Sequence, residues 1–286
     1  MGRVVQGEPR RRLQLMSRTR LAVWGDPISH SKSPLLHSAA YRVLGLDWEY
    51  ERRQVNEAEF AGAVQDLDDT WRGLSLTMPL KDEAFRVADS HDAHAELTGV
   101  ANTLLLGERI AAFNTDVGGI VDALRESGVV APDAVRLLGA GATAASALVA
   151  VSDMGATRAD VRARRPDRAS SLVALGERLG VAVTVSTFDR PADAVDLTIA
   201  SLPGGTELDA NVVRPLADQG GVLFDVAYAP WPSALASAWT GGEAIAGLGM
   251  LLHQAVRQIR IFMYGDPSAS LPGEPAVVAA MRAVLR

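Results

Sequence analysis

Residues 137–144 read LLGAGATA, and this stretch decides the fold that the sequence predicts. Gly139, Gly141 and Ala144 have the spacing G-x-G-x-x-A, after an apolar run typical of a strand and at the start of an alanine-rich segment typical of a helix. The first glycine permits a tight turn, the second lets backbone approach a pyrophosphate, and the small third residue allows close helix packing. The pyrophosphate would bind at the helix N-terminus. The stretch therefore predicts a Rossmann-type dinucleotide site; a glycine-rich turn that binds nothing is the alternative interpretation.

The segments on both sides of this stretch continue an α/β pattern. After it, the runs ADVRA, VAVTV, VDLTIASLP and GVLFDVAY alternate with helical segments, so a second α/β unit is predicted to begin near Val117. Before it, the pattern predicts strands at residues 21–24, 48–53, 73–76 and 100–106, and helices at residues 34–44, 57–67 and 81–88. Beyond Gly247, residues 250–264 and 274–285 are predicted to form two closing helices.

The chain is long enough for two domains, because its 286 residues exceed the usual single-domain length of roughly 100 to 200 residues. We predict a substrate-binding and catalytic domain from residues 21–116 and 248–286, and a dinucleotide-binding domain from residues 117–247. The expected fold is α/β, with C-terminal helices that pack back on the first domain. Residues 1–20 hold six arginines and lack the apolar core of a secretory signal, so we expect a disordered basic tail. Translation that starts at Met16 is the alternative.

The composition is that of an ordinary globular protein. Hydrophobic residues make up 48% and charged residues 22%, and no apolar run is long enough to span a bilayer, so a membrane role is not expected. The absence of cysteine excludes disulfides and thiolate chemistry and suits the cytoplasm. The net charge of −6 argues against nucleic acid as the main partner. His91 and His94 have no further ligands near them in sequence, so they are expected to be surface helix residues and no metal site is predicted.

The end of the second predicted Rossmann strand indicates which dinucleotide binds. An NAD-binding domain usually places Asp or Glu there for the ribose 2′-hydroxyl, whereas this chain offers four arginines. They are Arg162, Arg164, Arg165 and Arg168. A guanidinium suits a 2′-phosphate through its charge and its planar donors. We therefore predict NADP(H), with Arg164 as the phosphate ligand and with Arg162 and Arg168 in a solvated basic loop.

Two short motifs supply candidate groups for moving a proton beside a hydride acceptor. In GLSLTMPLK, Lys81 falls in the first turn of a predicted helix, where the helix dipole disfavours a purely structural cation. In FNTD, Asp116 follows a predicted strand, and a helix N-cap is its structural alternative. Together the two motifs offer one acid and one base.

Residues 26–37 read DPISHSKSPLLH, and two of the three serines, Ser31 and Ser33, need an explanation. Ser33 as N-cap, with Pro34 at the first helical position, is a standard helix start. This interpretation accounts for Ser33 but not for Ser31.

Seven motifs, in this order, resemble those of the shikimate dehydrogenase family. They are DPISHSKSPLLH, GLSLTMPLK, GVANTL, FNTD, GAGATA, DVAYAPWPSAL and GLGMLLHQA, and the resemblance runs from residue 21 to about residue 262. It implies NADP-dependent reduction of 3-dehydroshikimate to shikimate in aromatic amino-acid biosynthesis. It also implies a substrate domain joined to a Rossmann domain, and we expect a monomer or a homodimer.

The resemblance further implies roles for particular residues. Ser31 and Ser33 would bind the substrate carboxylate, and Lys81 and Asp116 would be the catalytic pair. The remaining implied contacts are Thr77, Asn102, Tyr228 and Gln254 for the substrate, and Gly139, Ala140, Gly141, Ala142, Thr143, Arg164 and Gly247 for the cofactor. Without the resemblance, Gln254 would be interpreted as an exposed position on an apolar helix.

The sequence also departs from the family pattern and leaves other functions open. Ser75 stands where many members have Asn, Val117 where Gly is usual, and Ala163 and Arg165 interrupt an N-R-T pattern. The stretch IASLPGG lacks the usual N-x-T-P. One alternative is a paralogue that acts on quinate or an aminated shikimate, since such discrimination depends on one or two hydrogen-bonding groups. The other is a catalytically silent NADP-binding sensor, which would need no catalytic pair.

Overall fold

The computed structural model describes residues 19–286, which form two six-stranded sheets with helices around them. The predicted α/β class is confirmed, and so is the return of the closing helices to the first half of the chain. Residues 1–18 of the predicted basic tail, with Met16, lie outside the described residues. Thr19 and Arg20, assigned to that tail, instead begin the first strand, because they pair with Trp48 and Glu49.

The first sheet is mixed and is built by residues up to Phe113. Its strands are β1 (Thr19–Gly25), β2 (Trp48–Gln54), β3 (Trp71–Leu76), β4 (Ser90–His91), β5 (Thr103–Leu105) and β6 (Ala111–Phe113), in the order β2-β1-β3-β5-β6-β4. The helices between them are α1 (Ser33–Leu44), α2 (Glu57–Gln65), α3 (Lys81–Val87) and α4 (Ala93–Thr98). Strands β1, β2 and β3 are parallel, so their carboxyl ends meet at one edge of the sheet.

The second sheet is entirely parallel. Its strands are β7 (Ala134–Leu138), β8 (Arg158–Arg162), β9 (Ala182–Ser186), β10 (Leu197–Ala200), β11 (Val222–Asp225) and β12 (Ala244–Ala246), in the order β12-β11-β10-β7-β8-β9. After α5 (Thr115–Glu126), its helices are α6 (Ala142–Asp153), the 3₁₀ turn Pro166–Ala169, α7 (Ser170–Leu179), α8 (Ala210–Asp218) and α9 (Ala234–Ser237). The strand order reverses beside β7, and ligands of doubly wound sheets bind at such a point.

Two long helices join the halves of the molecule. Helix α5 leads into the second sheet, and α10 (Leu248–Tyr264) leads back and packs along it. Helix α10 contributes Met250 to the core of the second sheet and Ile259 and Phe262 to a core of the first. The last helix, α11 (Glu274–Ala283), packs on α1. The cleft between the two sheets is therefore bordered by helices that belong to both cores.

The structure differs from the sequence prediction mainly in short elements. The strand predicted at residues 100–106 is limited to Thr103–Leu105. Asn102 precedes it in a bend, because its side chain bonds to Thr115 at the start of α5. Strands β4 and β6 were not predicted. Of the two histidines expected on a helix, His94 lies in α4, whereas His91 ends β4. Within residues 19–286, none of the helices combines the length and hydropathy that a membrane crossing requires.

Candidate active site

A cleft opens where the carboxyl ends of β1 and β3 face the end of β11 in the second sheet. Its lining from the first half includes Ser31, Ser33, Ser75, Thr77, Lys81, Asn102 and Asp116. Helix α10 and the second half add Thr143, Tyr228, Gly247, Gln254 and Gln258. All eight residues predicted for catalysis and substrate binding therefore line one cleft, together with Thr143 and Gly247 of the predicted cofactor set.

Lys81 and Asp116 form an ion pair inside the cleft. The Lys81 Nζ atom lies 2.6 Å from Asp116 Oδ2, and the two side chains are only 13% and 6% exposed. Lys81 is the first residue of α3, as predicted. Asp116 is not the N-cap of α5, because Asn114 holds that position and accepts a hydrogen bond from the Asp116 amide. The capping explanation for Asp116 is thus wrong. Its carboxylate instead faces the cleft, where it pairs with Lys81.

Asn102 fixes the carboxylate from the other side. Its Nδ2 donates to Asp116 Oδ1 at 2.8 Å, while its Oδ1 accepts from the Thr115 backbone amide at 2.9 Å. The backbone donor determines which way the Asn102 amide points, since a flipped amide would set two donors against each other. Both oxygens of Asp116 therefore have a defined partner, and its rotamer is held on two sides.

Gln254 of α10 contacts the Asn102 side chain. Its side chain is 8% exposed, its Nε2 donates to the Leu251 carbonyl at 2.9 Å, and its Oε1 accepts from Asn102 Nδ2 at 3.4 Å. The interpretation of Gln254 as an exposed position is wrong, because α10 turns this face toward the cleft between the sheets. Its amide is thus placed to meet a ligand hydroxyl.

The two serines at the start of α1 have roles different from those predicted from capping rules. Lys32 is the N-cap, without a side-chain cap, and Ser33 is already the first helical residue. Ser31 Oγ instead accepts a hydrogen bond from the Ser33 backbone amide at 3.3 Å. The prediction of Ser33 as N-cap is therefore wrong by one position, and Ser31 satisfies a free amide of the first turn. Both hydroxyls border the cleft.

Thr77 and Tyr228 complete the lining on opposite sides. Thr77 follows β3, and its backbone amide donates to the Trp24 carbonyl at 3.0 Å. A side chain at Gly25 would clash with Thr77 Cγ2 and would lie 2.9 Å from the Met78 carbonyl oxygen, so only glycine lets β1 and the segment after β3 approach this closely. Tyr228 follows β11, and partial burial raises the pKa of its phenol above the usual value.

The turn after β7 has the features of a phosphate cradle. Gly139 has φ of +113°, a conformation that favours glycine, and Gly141 is the N-cap of α6 without a side-chain cap. The first amides of α6 are therefore available to an anion and lie at the positive end of its dipole. Ala140, Ala142 and Thr143 add no charge or bulk to this turn. These residues fit the pyrophosphate of a dinucleotide.

The four arginines at the end of β8 and just after it differ in burial: Arg162 is buried and the other three are exposed. Arg164, Arg165 and Arg168 are exposed, and Arg164 lies two residues beyond Arg162, which pairs with Leu138 at the end of β7. Arg164 is therefore at the same sheet edge as the glycine turn, where an adenosine phosphate of a bound dinucleotide would lie.

Arg162 is not in a solvated loop as predicted. Its side chain is buried, and its Nε donates to Asp160 Oδ1 at 2.7 Å while its other nitrogens donate to the Arg190 and Pro191 carbonyls. Residues two apart on a strand share a face, so Asp160 and Arg162 point the same way and pair. Asp160 also accepts from the buried Arg136 of β7 at 2.9 Å. Arg162 thus belongs to a structural network.

The sequence analysis did not predict a role for Gln258 in the cleft, nor for Tyr50, which lies behind it. Gln258 lines the cleft beside Ser75 and is 1% exposed. It lies four residues after Gln254, and residues at this spacing share a helix face, so two glutamines on an otherwise apolar face were the available signal. Tyr50, which donates to Ser75 at 2.7 Å, gave no such signal in the sequence.

The described part of the chain shows no grouping of three or more His, Asp or Glu side chains that would hold a metal ion. His91 donates to the Phe85 carbonyl, and His94 lies 3.5 Å from Asp153. The cleft itself places the Lys81–Asp116 ion pair among hydroxyl and amide side chains, groups that suit a small polyol, and beside the glycine turn after β7.

Comparisons with known proteins agree with this arrangement. A family model described as the shikimate dehydrogenase substrate binding domain matches residues 23–104. A shikimate dehydrogenase (NADP(+)) from Methylobacterium radiotolerans is 36% identical over 253 residues, which cover 83% of this chain and 88% of that protein. The chain belongs to the shikimate dehydrogenase family.

Solved structures of the family extend the agreement to the fold. The crystal structure of shikimate dehydrogenase from Mycobacterium tuberculosis superposes with a TM-score of 0.81 at 40% identity, covering 93% of this chain and 99% of that one. Shikimate 5-dehydrogenase from Thermus thermophilus, solved in complex with NADP(H) and shikimate, superposes with a TM-score of 0.75 at 28% identity. That alignment covers 92% of this chain and 98% of the Thermus chain, so a shikimate dehydrogenase fold spans nearly the whole described molecule.

Proposed function

We propose that this protein is an NADP-dependent shikimate dehydrogenase, which reversibly reduces 3-dehydroshikimate to shikimate in aromatic amino-acid (chorismate) biosynthesis. The observation that carries the proposal is the Lys81–Asp116 ion pair of 2.6 Å, set in a cleft between a substrate-binding half and a dinucleotide cradle. The NADP(+)-dependent relatives and the Thermus complex support the same activity.

Lys81 and Asp116 accept and donate the proton of the reacting hydroxyl. In the oxidative direction the hydroxyl of shikimate gives up its proton while its carbon loses a hydride, and a group within hydrogen-bond reach must take that proton. Lys81 Nζ and Asp116 Oδ2 already share a hydrogen bond, so a hydroxyl placed beside them is within reach of both. Asn102 keeps the carboxylate in place throughout.

The remaining cleft residues bind and orient the substrate. Ser31 and Ser33 supply hydroxyl donors at the N-terminus of α1, where an anion is favoured, and we assign them with Tyr228 to the carboxylate end. We assign Thr77 to the ring hydroxyls. Asn102 and Gln254 present amides to the ring hydroxyls. Holding both ends of a rigid ring fixes the reacting carbon relative to the cofactor, which lowers the entropic part of the barrier.

The cofactor assignment rests on the turn after β7 and the arginines after β8. Gly139, Ala140, Gly141, Ala142 and Thr143 are assigned to the pyrophosphate, Arg164 to the 2′-phosphate, and Gly247 to the nicotinamide end beside the cleft. NADPH, when bound, supplies the hydride to the substrate carbonyl carbon. The small residues of the turn keep the backbone accessible, and the exposed guanidinium of Arg164 is free to pair with a phosphate.

An assay of NADP⁺ reduction by the purified protein with shikimate, quinate and aminoshikimate tests the function. We expect shikimate to give by far the highest kcat/KM. A higher kcat/KM with quinate or aminoshikimate would assign the chain to the paralogue instead. Binding of NADP⁺ without turnover of any of the three would favour the silent sensor.

We propose further that the enzyme is cytoplasmic and that it is a monomer or a homodimer. Light scattering coupled to size-exclusion chromatography measures the oligomeric state, with the 30.3 kDa chain as the reference mass. A trimer or larger assembly would contradict this part of the proposal.

A further inference from the structure

Asn114 contacts three helices at the boundary between the two halves of the molecule. It follows β6 as the N-cap of α5, and its side chain is 1% exposed. The side chain makes hydrogen bonds to Asp116 of α5, to Thr98 of α4 and to Ser146 of α6. Asn114 does not line the cleft, so it takes no direct part in the proposed reaction. It does join the turn that carries Asp116 to one helix of each half.

Backbone groups fix the direction of each of these bonds. The Asp116 amide can only donate, and it lies 3.1 Å from Asn114 Oδ1, so Nδ2 must face the two hydroxyls. Thr98 donates its own proton to a backbone carbonyl of α4 at 2.7 Å, and Ser146 donates to the first carbonyl of α6 at 3.2 Å. Both hydroxyl oxygens therefore accept from Asn114 Nδ2, each at 3.0 Å.

Capping alone does not explain an asparagine at this position. Ser, Asp and Asn serve about equally well as N-caps, and a cap needs only an acceptor. A serine has one side-chain proton and an ionised aspartate has none, whereas Nδ2 of Asn114 has two. One goes to Thr98 and the other to Ser146, which is 0% exposed. The contacts to α4 and α6 are therefore what an asparagine adds.

Ser146 belongs to the helix that forms the dinucleotide cradle. It lies one turn beyond the start of α6, where Gly141 is the N-cap and Thr143 lines the cleft. We propose that Asn114 is a positioning residue, which fixes the Asp116 carboxylate relative to α6 and so to a dinucleotide bound there. The inference rests on the proposed function, because only a hydride enzyme needs this spacing for its reaction.

The spacing matters because the proton and the hydride leave neighbouring atoms of the substrate. In the oxidative direction the hydroxyl oxygen loses its proton to the Lys81–Asp116 pair, the carbon loses its hydride to NADP⁺, and the carbon–oxygen double bond forms. A displacement of about 1 Å between reacting groups can lower a rate by about 10²-fold. Loss of the Asn114–Ser146 contact should therefore lower kcat more than it weakens the binding of either ligand.

Ser146→Ala removes the contact with the smallest change, and Ser152→Ala is its matched control. Ser152 is a half-buried serine at the other end of α6. We expect Ser146→Ala to lower kcat roughly tenfold, with the KM for shikimate and for NADP⁺ within about threefold of wild type. Ser152→Ala should keep kcat within about twofold of wild type. A kcat of Ser146→Ala no lower than that of Ser152→Ala would overturn the proposal.

Asn114→Ser shows whether the effect passes through Asn114. This variant keeps a residue that caps α5 but is too short to contact α6. It should lower kcat as Ser146→Ala does, and the double variant should lose no more than the weaker of the two single variants, since both changes remove one contact. Losses in kcat that multiply in the double variant would contradict a shared contact and overturn the proposal.

Hydrogen–deuterium exchange with and without saturating NADPH tests the positioning without turnover, because it reports local opening of the backbone. In wild type, NADPH should slow exchange in α6 and also at residues 114–120, the start of α5. In Ser146→Ala, only the slowing in α6 should remain. Slowing at residues 114–120 that is absent from wild type, or equal in the two proteins, would overturn the proposal. Wild-type NADPH binding and shikimate turnover are measured first; their absence would overturn the proposed function itself, whereas the differences between variants test Asn114.

Discussion

Lys81 occupies the first position of α3, where the helix dipole is unfavourable to a cation. The Asp116 carboxylate 2.6 Å away offsets that cost, and it comes from α5, more than thirty residues further along the chain. A purely structural role explains this pair poorly, because the desolvation cost of burying two charges can exceed the free energy that their attraction contributes to stability. The pair is better explained by proton exchange with a ligand in the cleft.

Lys81→Ala tests this assignment. Removal of the ammonium eliminates one partner of the proton exchange, so we expect kcat to fall by about 10²-fold or more, the usual scale for acid–base catalysis, with a smaller change in shikimate KM. Steady-state kinetics with shikimate and NADP⁺ measure both constants. Circular dichroism is the control, because the unpaired Asp116 carboxylate also lowers stability. A folded variant with near-wild-type kcat would contradict the assignment.

Ser31→Ala separates carboxylate binding from helix capping. The loss of a hydrogen bond to a charged group, about 1.5 to 3 kcal/mol, should raise the shikimate KM at least tenfold and change kcat less. The variant also leaves the Ser33 amide without the Ser31 oxygen, so a small loss in melting temperature is expected. Unchanged kinetics, with or without a shift in melting temperature, would limit Ser31 to the local structural role.

Arg164→Ala tests the choice of cofactor. A 2′-phosphate carries nearly two negative charges, so loss of its guanidinium partner should weaken NADP⁺ binding by about 1.5 to 3 kcal/mol, whereas NAD⁺ should change little. The measurement is kcat/KM for both cofactors. Arg158→Ala is the matched control, because Arg158 is an exposed arginine at the opposite end of β8. Parallel losses with NADP⁺ and NAD⁺ would show that Arg164 supports the fold instead.

At the scale of elements, regular periodicity was sufficient to predict most of the fold. The predicted bounds of α1, β2 and α10 differ from the observed ones by at most two residues. The two helices have a continuous apolar pattern, and β2 begins with aromatic residues two apart, Trp48 and Tyr50. Strands β4 and β6, of two and three residues, are too short to show a period. They exist because neighbouring strands of the sheet supply their hydrogen bonds.

The errors at individual positions have a different origin, which is contact between distant segments. Arg162 is buried because Asp160 and two carbonyls of residues 190 and 191 receive its protons, and the sequence near Arg162 reveals only the first of these. The candidate site itself was predictable residue by residue through the family motifs. The hydrogen bonds from Tyr50 through Ser75 to Gln258 were not, because three separate elements contribute to them.

Helix α10 connects the elements of the cleft, and Gln254→Ala tests that function. Gln254 reaches Asn102 from α10, although it follows the second sheet in sequence. We expect the variant to impair shikimate turnover through a higher KM and to leave NADP⁺ affinity intact, since the amide faces the substrate side. Fluorescence titration with NADPH measures that affinity. An equal loss of NADPH binding would indicate a misplaced helix rather than a missing substrate contact.

At the scale of the whole molecule, the stability should depend on pH through the buried His37. Its imidazole is fully buried, stacks on the Tyr50 ring at 3.9 Å between centroids, and bonds to Tyr41 and Gln258. Burial lowers the pKa of His37 to about 3, although the hydrogen bond to Gln258 acts in the opposite direction. The folded protein therefore keeps this histidine neutral at pH values where the unfolded chain protonates it.

The sign of the pH dependence follows from proton counting. Between pH 6.5, the ordinary value for histidine, and about pH 3, the unfolded state binds one proton more than the folded state at this site. The free energy of unfolding should therefore fall as the pH is lowered through this window, by about 1.4 kcal/mol per pH unit from His37 alone, and should not depend on His37 above pH 7.

Urea unfolding of wild type and His37→Gln at pH 8, 6 and 5 measures this pH dependence. His37→Gln should be less stable than wild type at pH 8, and the difference should narrow at pH 5. Tyr41→Phe, which keeps the histidine, should run parallel to wild type; a constant difference for His37→Gln as well would show that His37 does not govern the acid sensitivity of the fold.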